Sequence, residues 1–551
     1  MRNIFLVGLS GSGKSSVGRL LAERLDIPFY DTDVLVEEQC GMTIAAIFAE
    51  RGETYFRDCE SRVLAEVARK PEGAVIATGG GIVLRKANRE LLHAQGASVY
   101  LSVHPTIALE RLAAQHEALA AADQVPEIRP LLAGSEPLTT LQQLLETRST
   151  WYEDADFTCS TEGKSAEQIV HAIIAMLICS YELDGIPPTV QRVHVGNGYD
   201  VVVDWGGLGR LPGYLKALQL PKRVFLITDS NLRKLYVPTL IGALLASGFE
   251  PEIYTVPAGE ASKSPEQLNA IYDWLIGLHA ERGEAIVALG GGVVGDMAGY
   301  VAATYLRGVP LVQVPTSLLA QVDAAIGGKT GINHPKGKNL IGAFYHPRLV
   351  LVDPATLLTL PERERTEGWA EVVKYGIILD TELFVRLEAY AATLRKFVPP
   401  SATLLCQIIA RCIALKVAVI EEDEREQGRR AILNYGHTVA HALENVAGYG
   451  ELLHGEAVSI GMVAAAALAQ EMGLFATDEA RRQNHLLQAL GLPVSYAGNV
   501  KAEDILAAMQ LDKKVVGKRV HWIMPRTIGE VTITSLPDDL VRRIITTFFA
   551  E

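Results

Sequence analysis

The stretch GLSGSGKSS, Gly8–Ser16, constrains the fold of this chain more than any other feature. It follows the apolar run Ile4–Val7 and precedes a helical pattern, so it joins a buried strand to a helix. It fits G-x-x-x-x-G-K-[ST], in which glycines let backbone N–H groups turn toward phosphate oxygens. Lys14 can then neutralise phosphate charge, and the Ser15 hydroxyl can hold Mg²⁺. The first part of the chain is therefore predicted to be an α/β fold with a phosphate-binding loop.

Length and composition indicate several domains in a reducing compartment. A chain of 551 residues is too long for one core. The net charge of −13 argues against a nucleic-acid partner. The six cysteines include no C-x-x-C pair, which is typical of free thiols in the cytosol. We find no pattern of a secretory leader and no long uninterrupted apolar stretch, so we expect a cytoplasmic protein with no membrane partner.

The order of strand and helix patterns divides the chain. Apolar runs alternate with helical patterns as far as residue 179, which predicts a parallel sheet with helices on both faces. The stretch YELDGIPPTVQ, residues 181–191, predicts a linker. Strand patterns return from Val193, and helical periodicity dominates beyond Asp353. We predict a P-loop kinase domain at 1–175, a linker at 176–192, a Rossmann-like NAD-binding α/β domain at 193–354 and a mainly helical metal-binding domain at 355–551.

Three motifs accompany the phosphate loop and indicate the phosphoryl acceptor. They are DTD at Asp31–Asp33, ETYFR ending at Arg57, and TGGG at Thr78–Gly81. A single arginine such as Arg57 more often forms a surface salt bridge than a binding site. As a set, these motifs and the P-loop resemble shikimate kinase over roughly residues 1–175. The carboxylate of such a substrate suits planar guanidinium groups, and its hydroxyls suit an acceptor carboxylate.

The resemblance implies phosphorylation of shikimate by ATP with Mg²⁺. It implies that Asp33 binds the ring hydroxyls and accepts the proton, and that Lys14 is also catalytic. The implied shikimate-binding residues are Asp33, Arg57, Gly79, Gly80 and Arg148. The implied ATP-binding residues are Gly11, Ser12, Gly13, Lys14, Ser15, Ser16 and Arg129. Arg129 lies in an RPLL run, and the segment before it is longer and less basic than the family pattern, which leaves the lid's contacts to ATP open.

A second glycine-rich run indicates another nucleotide. Ala285–Leu289 leads into GGGVVGD, Gly290–Asp296, which satisfies G-x-G-x-x-G between a strand and a helix. An earlier strand ends at Asp229, an acidic group that can bind ribose hydroxyls. It precedes the glycines instead of following them, so the residues alone leave NAD and a chance glycine-rich turn open. Beyond them, residues 315–333 and 336–347 are predicted to be ligand-binding loops because they are dense in Gly, Lys, Asp and Asn.

Histidines and a carboxylate in the last part of the chain predict a metal centre. Glu371 and Lys374 are three positions apart on one helical face, and His437 and His441 are four apart on another. HGE follows at His454–Glu456. Two histidines and a glutamate with an open fourth position are typical of catalytic zinc. The spacing leaves open which of the three histidines bind.

These motifs resemble 3-dehydroquinate synthase over roughly Val193–Glu551. GGGVVGD, D-x3-GGKT, KNLIGAF, AEVVKYG, NYGH-x3-HA and HGE occur in that order. The resemblance implies conversion of 3-deoxy-D-arabino-heptulosonate 7-phosphate to 3-dehydroquinate and phosphate, with NAD⁺ and Zn²⁺ or Co²⁺. It implies Glu371, His437 and His454 as metal ligands. It also implies that Arg307 reaches the site of a neighbouring subunit, and hence a homodimer formed through the synthase half.

The remaining residue roles also come from this resemblance. The implied catalytic residues are Lys329, Lys374, Lys416, His441 and Arg307. The implied NAD-binding residues are Asp229, Asn231, Glu260, Lys263, Gly292, Val293, Val294, Gly295, Asp296, Thr316, Ser317, Lys329, Lys338, Thr356 and Thr359. The implied heptulosonate phosphate-binding residues are Asp323, Lys329, Asn339, Lys374, Lys416, Arg430, Asn434, His441 and Lys513.

Two alternative functions fit part of the pattern. A polyol dehydrogenase would share the NAD site and the helical metal domain, but a neutral polyol needs no lysine-rich loop such as KGKNLIGAF. A regulatory chain would use the P-loop only to sense nucleotide, and the set Asp33, Arg57 and Arg148 argues against it. We therefore expect a bifunctional enzyme with the kinase first and the synthase second.

Overall fold

A computed structural model describes residues 3–121, 136–180, 186–396, 401–448, 450–516 and 521–549. The chain forms two compact units, Met1–Leu177 and Ile178–Glu551. Part of the predicted linker at 176–192 is regular structure, because a helix continues to Ser180 and Thr189–Val193 is a strand. That strand lies at a sheet edge and is mostly exposed, so its sequence lacks the apolar pattern of a buried strand.

The first unit is a five-stranded parallel sheet with helices between its strands. Its strands are β1 Asn3–Val7, β2 Phe29–Asp31, β3 Val75–Ala77, β4 Gly96–Ser102 and β5 Phe157–Ser160, in the order β2-β3-β1-β4-β5. Its helices are α1 Lys14–Leu25, α2 Thr32–Cys40, α3 Ile44–Val67, α4 Lys86–Gln95, α5 Pro105–Ala121, α6 Pro137–Tyr152 and α7 Ala166–Ser180. All residues of β1 and β3 are buried, as expected for parallel strands covered on both faces.

The register of this sheet brings three of the predicted motifs to one edge. Leu6 pairs with Ala77, and Ala77 pairs with Asp31. The three strands therefore end side by side. The P-loop, the DTD motif and the TGGG motif follow these strand ends directly. The carboxyl edge of β2, β3 and β1 is thus where a ligand of this unit can bind.

The second unit begins with a seven-stranded sheet. Its strands are β6 Thr189–Val193, β7 Tyr199–Val203, β8 Arg223–Asp229, β9 Glu250–Val256, β10 Ala285–Gly290, β11 Leu311–Pro315 and β14 Leu349–Val352. They lie in the order β6-β7-β14-β11-β10-β8-β9, and only the β6–β7 pair is antiparallel. Helices of this region are α8 Gly207–Ala217, α9 Ser230–Leu235, α10 Val237–Ala246, α11 Pro265–Gly277 and α12 Gly292–Thr304.

Part of the segment predicted as loops is an antiparallel hairpin. Strands β12 Lys329–His334 and β13 Gly337–Phe344 pair through Gly331 and Gly342. A Cβ at Gly342 would meet the Thr330 carbonyl oxygen at 2.2 Å, so the two strands approach more closely than larger residues permit. The prediction was wrong here because a glycine-rich strand pair shows no apolar alternation.

The rest of the second unit is mainly helical. Its helices are α13 Glu362–Glu367, α14 Trp369–Leu379, α15 Thr381–Lys396, α16 Ala402–Glu422, α17 His437–Ala447, α18 His454–Glu471, α19 Thr477–Ala489, α20 Ala502–Val516 and α21 Asp538–Phe548, with a hairpin of β15 Trp522–Thr527 and β16 Glu530–Thr534. Within the described ranges, α16 alone has the length and apolar character of a membrane span, and 56% of its most apolar window is buried inside the protein. Buried core helices pass the same test.

Candidate active sites

The P-loop adopts a conformation that only glycine tolerates at several positions. Gly8, Gly11 and Gly13 have φ of 142°, 81° and 94°. A Cβ at Gly11 would meet the Ala108 carbonyl oxygen at 2.5 Å. Lys14 folds back over the loop, where its Nζ donates to the carbonyl oxygens of Gly8 and Leu9 at 2.9 and 2.8 Å. This cradle of main chain beside a lysine fits the phosphates of a nucleotide.

The start of α1 and the end of β2 together present oxygen atoms suited to Mg²⁺. Ser15 Oγ donates to Asp31 Oδ2 at 2.6 Å. Asp31 also caps α2 by accepting from the Asp33 backbone N–H at 3.1 Å. Hydroxyl and carboxylate oxygens are ligands that Mg²⁺ prefers. Sequence reasoning named Ser15 but not Asp31, although the DTD motif contained the signal.

The predicted shikimate-binding residues surround the turn after β3. Arg57 is 7% exposed and pairs with Glu60 at 2.9 Å and Glu53 at 3.1 Å. A Cβ at Gly79 would lie 2.4 Å from Glu60 Oε1 and 2.6 Å from Asp33 Oδ1, so both carboxylates face this glycine. Burial raises the pKa of Glu60, although Arg57 opposes the shift. Glu60 was missed because its helical spacing from Arg57 also fits an ordinary ion pair.

Arg148 reaches the same turn from α6. Its guanidinium donates to the Gly80 carbonyl oxygen at 2.9 Å, and Tyr152 OH donates to that oxygen at 2.5 Å. A Cβ at Gly80 would lie 3.5 Å from the Gly8 carbonyl oxygen, so the turn adjoins the P-loop. The structure therefore brings Asp33, Arg57 and Arg148 beside the phosphate cradle. Arg129 lies outside the described residues.

The second sheet has a crevice where its strand order reverses. β8 has β9 on one side and β10 on the other, and ligands of such sheets bind outside the carboxyl ends at this point. Asp229 ends β8 and caps α9 by accepting from the backbone N–H groups of Asn231 and Leu232 at 2.8 and 3.0 Å. Gly291 precedes α12, whose N-terminus follows β10 directly. The arrangement fits a ribose beside Asp229 and phosphates at α12.

Side chains predicted to bind NAD connect this crevice to the hairpin. Lys263 Nζ donates to Asp296 Oδ2 at 2.7 Å and also bonds to Asn339 Oδ1. Glu260 accepts from Asn333 Nδ2 at 2.7 Å. Burial raises the pKa of Asp296, and Lys263 opposes the shift.

The other predicted NAD-binding residues differ in their surroundings. Val293, Val294 and Gly295 lie in the first turn of α12, and Ser317 lies near Gly291, where a Cβ would be 3.4 Å from Ser317 Oγ. Thr316 donates its backbone N–H to Gly290. Thr356 and Thr359 are buried. The Thr356 hydroxyl donates to the main-chain oxygen of Asp353, and the Thr359 hydroxyl donates to that of Thr356. Their assignment to NAD stays a prediction.

Three predicted metal ligands converge from three helices. The ligand atoms of Glu371, His437 and His454 lie within 4.8 Å of one another. Nε2 of His437 and Nε2 of His454 are 3.6 and 3.8 Å from Glu371 Oε1. His437 Nδ1 is 3.1 Å from the Tyr435 carbonyl oxygen, which leaves Nε2 to face the carboxylate. Burial holds the pKa of His437 well below its ordinary value, which favours the neutral ring that a metal ligand requires.

Glu371 supports this site more strongly than the histidines do. It is fully buried, and no donor among the described residues hydrogen-bonds to either of its carboxylate oxygens. Lys374 Nζ forms an ion pair with Oε2. Lys374 accounts for Oε2, so Oε1, which faces the two imidazole nitrogens, is the buried oxygen that still needs a partner such as a metal. Two imidazole nitrogens and a carboxylate oxygen form a donor set that suits Zn²⁺ or Co²⁺.

A charged network adjoins the three ligands. Lys416 Nζ donates to Asp323 Oδ1 at 2.5 Å, and Tyr375 OH donates to the same oxygen at 3.1 Å. Burial alone would raise the pKa of Asp323, but Lys416 and Lys374 outweigh it and lower that pKa strongly. Burial lowers the pKa of Lys416. Asp323 lies in the π-helix Ala320–Ala324, a feature frequent at functional sites.

Further predicted residues contact the segment Glu424–Glu426. Lys329 pairs with Glu426, which also accepts from Asn434 Nδ2 at 2.8 Å. Arg430 is 2% exposed and bonds to the carbonyl oxygen of Glu424. Glu426 was missed because it lies in an acidic run that resembles an exposed helix face.

His441, Lys338 and Arg307 occupy different positions. The His441 ring centre is 5.5 Å from that of His437, so His441 lies beside the metal ligands. Lys338 donates to Glu444 Oε1 at 3.1 Å. Arg307 is exposed in the turn after α12, with φ of 63°. The side chain of Lys513 lies outside those that the structure describes.

The two units thus define a P-loop phosphotransferase and an enzyme with a nucleotide crevice beside a metal centre. Residues 10–178 match the family model "Shikimate kinase". Residues 253–367 and 368–515 match the models of the 3-dehydroquinate synthase N-terminal and C-terminal domains. The 3-dehydroquinate synthase of Synechococcus sp. is 48% identical over 352 residues, which cover 63% of this chain and 95% of that protein. The 3-dehydroquinate synthase of Desulforamulus reducens is 46% identical over 346 residues, which cover 63% of this chain and 95% of that protein.

Two solved structures resemble the second unit. One is ValA, 2-epi-5-epi-valiolone synthase from Streptomyces hygroscopicus subsp. jinggangensis, with NAD⁺ and Zn²⁺ bound; it shares 29% identity, has a TM-score of 0.59 and is matched over 67% of this chain and 99% of its own. The other is 2-deoxy-scyllo-inosose synthase complexed with carbaglucose-6-phosphate, NAD⁺ and Co²⁺. It shares 26% identity, has a TM-score of 0.59 and is matched over 65% of this chain and 100% of its own. The chain belongs to the 3-dehydroquinate synthase family and carries a shikimate kinase domain before it. It is a bifunctional enzyme, a kinase and a lyase.

Proposed function

We propose that the chain catalyses two reactions at separate sites. The first is ATP-dependent phosphorylation of shikimate, and the second is conversion of 3-deoxy-D-arabino-heptulosonate 7-phosphate to 3-dehydroquinate and phosphate. The family matches over both units support this pairing. The Glu371, His437 and His454 cluster is the observation that carries the second reaction, because it lies beside a network of lysines and carboxylates.

In the first unit, the residues position an alcohol in line with a phosphoryl group. The P-loop main chain and Lys14 bind the phosphates of ATP, and Ser15 with Asp31 holds Mg²⁺. Arg57 and Arg148 bind the substrate carboxylate. Asp33 then accepts the proton of the attacking hydroxyl. The turn at Gly79 keeps this side of the pocket open, because a Cβ there would occupy the space between Asp33 and Glu60.

In the second unit, Glu371, His437 and His454 hold a divalent cation, and the crevice between β8 and β10 holds NAD⁺. When bound, NAD⁺ supplies a hydride acceptor that is regenerated, and the cation supplies a Lewis acid for substrate hydroxyls. Asp229 binds ribose hydroxyls, and the N-terminus of α12 faces the pyrophosphate.

The basic residues around this site match an anionic substrate. Lys329, Lys374 and Lys416 are held by acidic partners and Arg430 by main-chain carbonyl oxygens, and these four cations can bind a phosphate and a carboxylate. A neutral polyol would leave several of these charges without a role. The arrangement therefore supports the synthase reaction over a polyol dehydrogenase.

The test follows phosphate and NADH in one assay of the full chain. With the heptulosonate phosphate, we expect phosphate release without net NADH, because the hydride returns to the product. With glycerol, we expect no NADH. NADH accumulation with glycerol and no phosphate release from the sugar phosphate would contradict the proposal and favour the dehydrogenase.

We also propose that the second unit forms a homodimer in which Arg307 enters the site of the neighbouring subunit. Its exposure and left-handed backbone support a role outside its own subunit's core, since such a conformation is unusual for a non-glycine residue. Mixing Arg307→Ala chains with Glu371→Gln chains should restore synthase activity if a mixed dimer contains one complete site. No recovery in a mixture proven to exchange subunits would contradict the proposal.

We infer a cytoplasmic location. The five cysteines that the structure describes as free, together with ATP and NAD⁺ as substrate and cofactor, support a reducing compartment. Fractionation of cells with an antibody against the chain tests this, and recovery in an extracytoplasmic fraction would contradict it.

A further inference from the structure

The two predicted histidine ligands are held in related ways. Each has Nε2 near Glu371 and Nδ1 near an oxygen. For His437 that oxygen is the Tyr435 carbonyl, at 3.1 Å. For His454 it is Oε2 of Glu444, at 3.6 Å. An imidazole that offers Nε2 to a cation carries its proton on Nδ1, so an acceptor beside Nδ1 selects the tautomer and the ring orientation.

Glu444 has a second contact that the Tyr435 carbonyl does not have. Its other oxygen, Oε1, accepts a hydrogen bond from Lys338 Nζ at 3.1 Å. Lys338 belongs to β13, in the glycine-rich hairpin. One carboxylate thus contacts a predicted metal ligand with one oxygen and the hairpin with the other.

The position of Glu444 in α17 explains how it reaches both groups. It lies seven residues after His437 and three after His441, which places the three side chains on one helical face. Its side chain is 8% exposed, so its charge is largely removed from water. A buried carboxylate is costly unless it is paired, and here His454 and Lys338 pair with it.

We infer that Glu444 is a positioning residue that orients His454 for the divalent cation and anchors the β12–β13 hairpin beside the metal site. The inference rests on the proposed function, because it requires the cation at Glu371, His437 and His454. Glu444 acts through His454 and Lys338 and does not itself contact the substrate.

The same geometry permits one competing arrangement. Ligand atoms of His441, Glu444 and His454 also lie within 4.8 Å of one another, so these three could hold a cation of their own. The number of cations per chain separates the two cases. A positioning role for Glu444 predicts one zinc ion per synthase unit, whereas a ligand role predicts two.

The experiment measures zinc binding to the full chain after metal removal, in competition with a chromophoric chelator. The variants are Glu444→Ala and Glu444→Gln. The matched control is Glu471→Gln, which alters a surface ion pair between Glu471 of α18 and Arg543 of α21. We expect Glu444→Ala to weaken zinc affinity about 10–100-fold, with one zinc still bound per chain. Glu444→Gln should weaken it less, because its amide oxygen can still accept from Nδ1. The control should match the wild type.

A second readout tests the anchor. Hydrogen exchange of the metal-free protein should show faster exchange of the hairpin amides in both Glu444→Ala and Lys338→Met than in the control. The visible spectrum of the cobalt-loaded chain should change in Glu444→Ala, because the ligand field depends on the His454 orientation, and should not change in the control.

Several outcomes would overturn the inference. Zinc affinity of Glu444→Ala within about twofold of the wild type would remove the orienting role. Two zinc ions in the wild type and one in Glu444→Ala would make Glu444 a ligand. Unchanged hairpin exchange in both variants would remove the anchor. Glu371→Gln separates this inference from the proposed function, since full zinc binding by that variant would contradict the metal site itself.

Discussion

The first unit surrounds its site mainly with main chain, whereas the second surrounds its site with side chains from distant elements. The kinase pocket consists largely of the P-loop and the turn at Gly79–Gly81, which follow neighbouring strands. The synthase pocket draws Asp323 from a π-helix and Glu371, His437 and His454 from three α-helices. Strand register places the P-loop and the Gly79–Gly81 turn side by side, although Arg57 and Arg148 reach them from helices, whereas packing of a helical domain places the whole second set.

The two sites also differ in how their charged groups are paired. In the kinase pocket, Arg57 already pairs with Glu53 and Glu60, so it is neutralised by the protein itself. In the synthase pocket, the buried Glu371 pairs with Lys374 through Oε2, but among the described residues its Oε1 has no hydrogen-bond donor and faces Nε2 of His437 and of His454. We infer that the first site keeps its shape without ligands, while in the second a bound cation supplies the common partner of Glu371 Oε1 and the two imidazole nitrogens.

Loss of the cation ligand should give the largest effect. Glu371→Gln should lose zinc and lower the synthase rate by about 10³-fold or more, because the lost Lewis acid is worth several kcal/mol. Shikimate phosphorylation should not change. The control is Glu388→Gln, which alters a partly exposed pair with Arg482. A Glu371→Gln chain with normal zinc content and normal synthase rate would show that the two sites do not differ as described.

Asp33→Asn should give the converse result. We expect the phosphorylation rate to fall about 10²–10⁴-fold, because an amide cannot accept the hydroxyl proton. The synthase rate should stay at the wild-type value. Asp26→Asn is a matched control, because Asp26 is exposed at the end of α1 and asparagine tolerates its left-handed conformation. Equal rates for Asp33→Asn and the control would contradict the kinase assignment.

The sequence predicts the first site more completely than the second, because the motifs of the first site follow strand ends whereas the residues of the second lie on distant helices. The P-loop, DTD and TGGG motifs follow consecutive strand ends, so the sequence alone placed them together. Spacing indicated a metal centre but left open which histidines bind, and the resemblance implied the proposed ligand set; only the structure shows that α14, α17 and α18 bring these side chains within reach of one another. Asp31, Glu60 and Glu444 were missed because an acidic residue at a cap or a helical i+3 position usually has an ordinary structural role.

The hairpin shows a different cause of failure. Its strands pair through Gly331 and Gly342, whose backbones approach too closely for a side chain, so β12 and β13 carry no alternating apolar pattern. Strand β6 was also missed, because its exposed edge position removes the apolar signal. Both errors arise where tertiary pairing, not local pattern, determines the strand.

Arg57→Lys should produce a smaller effect than the two preceding variants. A lysine cannot form the planar two-bond contact with a carboxylate, so KM for shikimate should rise about 10–100-fold. Thermal unfolding should be followed in parallel, because Glu60 also loses part of its partner. Arg85→Lys, in an exposed pair with Asp58, is the control. An unchanged KM would remove Arg57 from the substrate site.

Chelation should shift one unfolding temperature by only a few degrees, and this shift tests the difference between the two sites directly. Zinc at 100 times its Kd adds about 3 kcal/mol to the free energy of unfolding. Its removal should therefore lower the unfolding temperature of the second unit by a few degrees. The transition of the first unit should not move. Calorimetry of the full chain with and without chelator measures both transitions, and added zinc should restore the second. Equal shifts of both transitions would contradict the inferred difference.

The most direct test of two independent sites is a single assay of the Asp33→Asn chain with 3-deoxy-D-arabino-heptulosonate 7-phosphate, following phosphate and NADH together. We predict phosphate release at the wild-type rate, one phosphate for each 3-dehydroquinate formed, and no accumulation of NADH. Loss of phosphate release in this variant, or NADH formed in proportion to substrate consumed, would contradict the account.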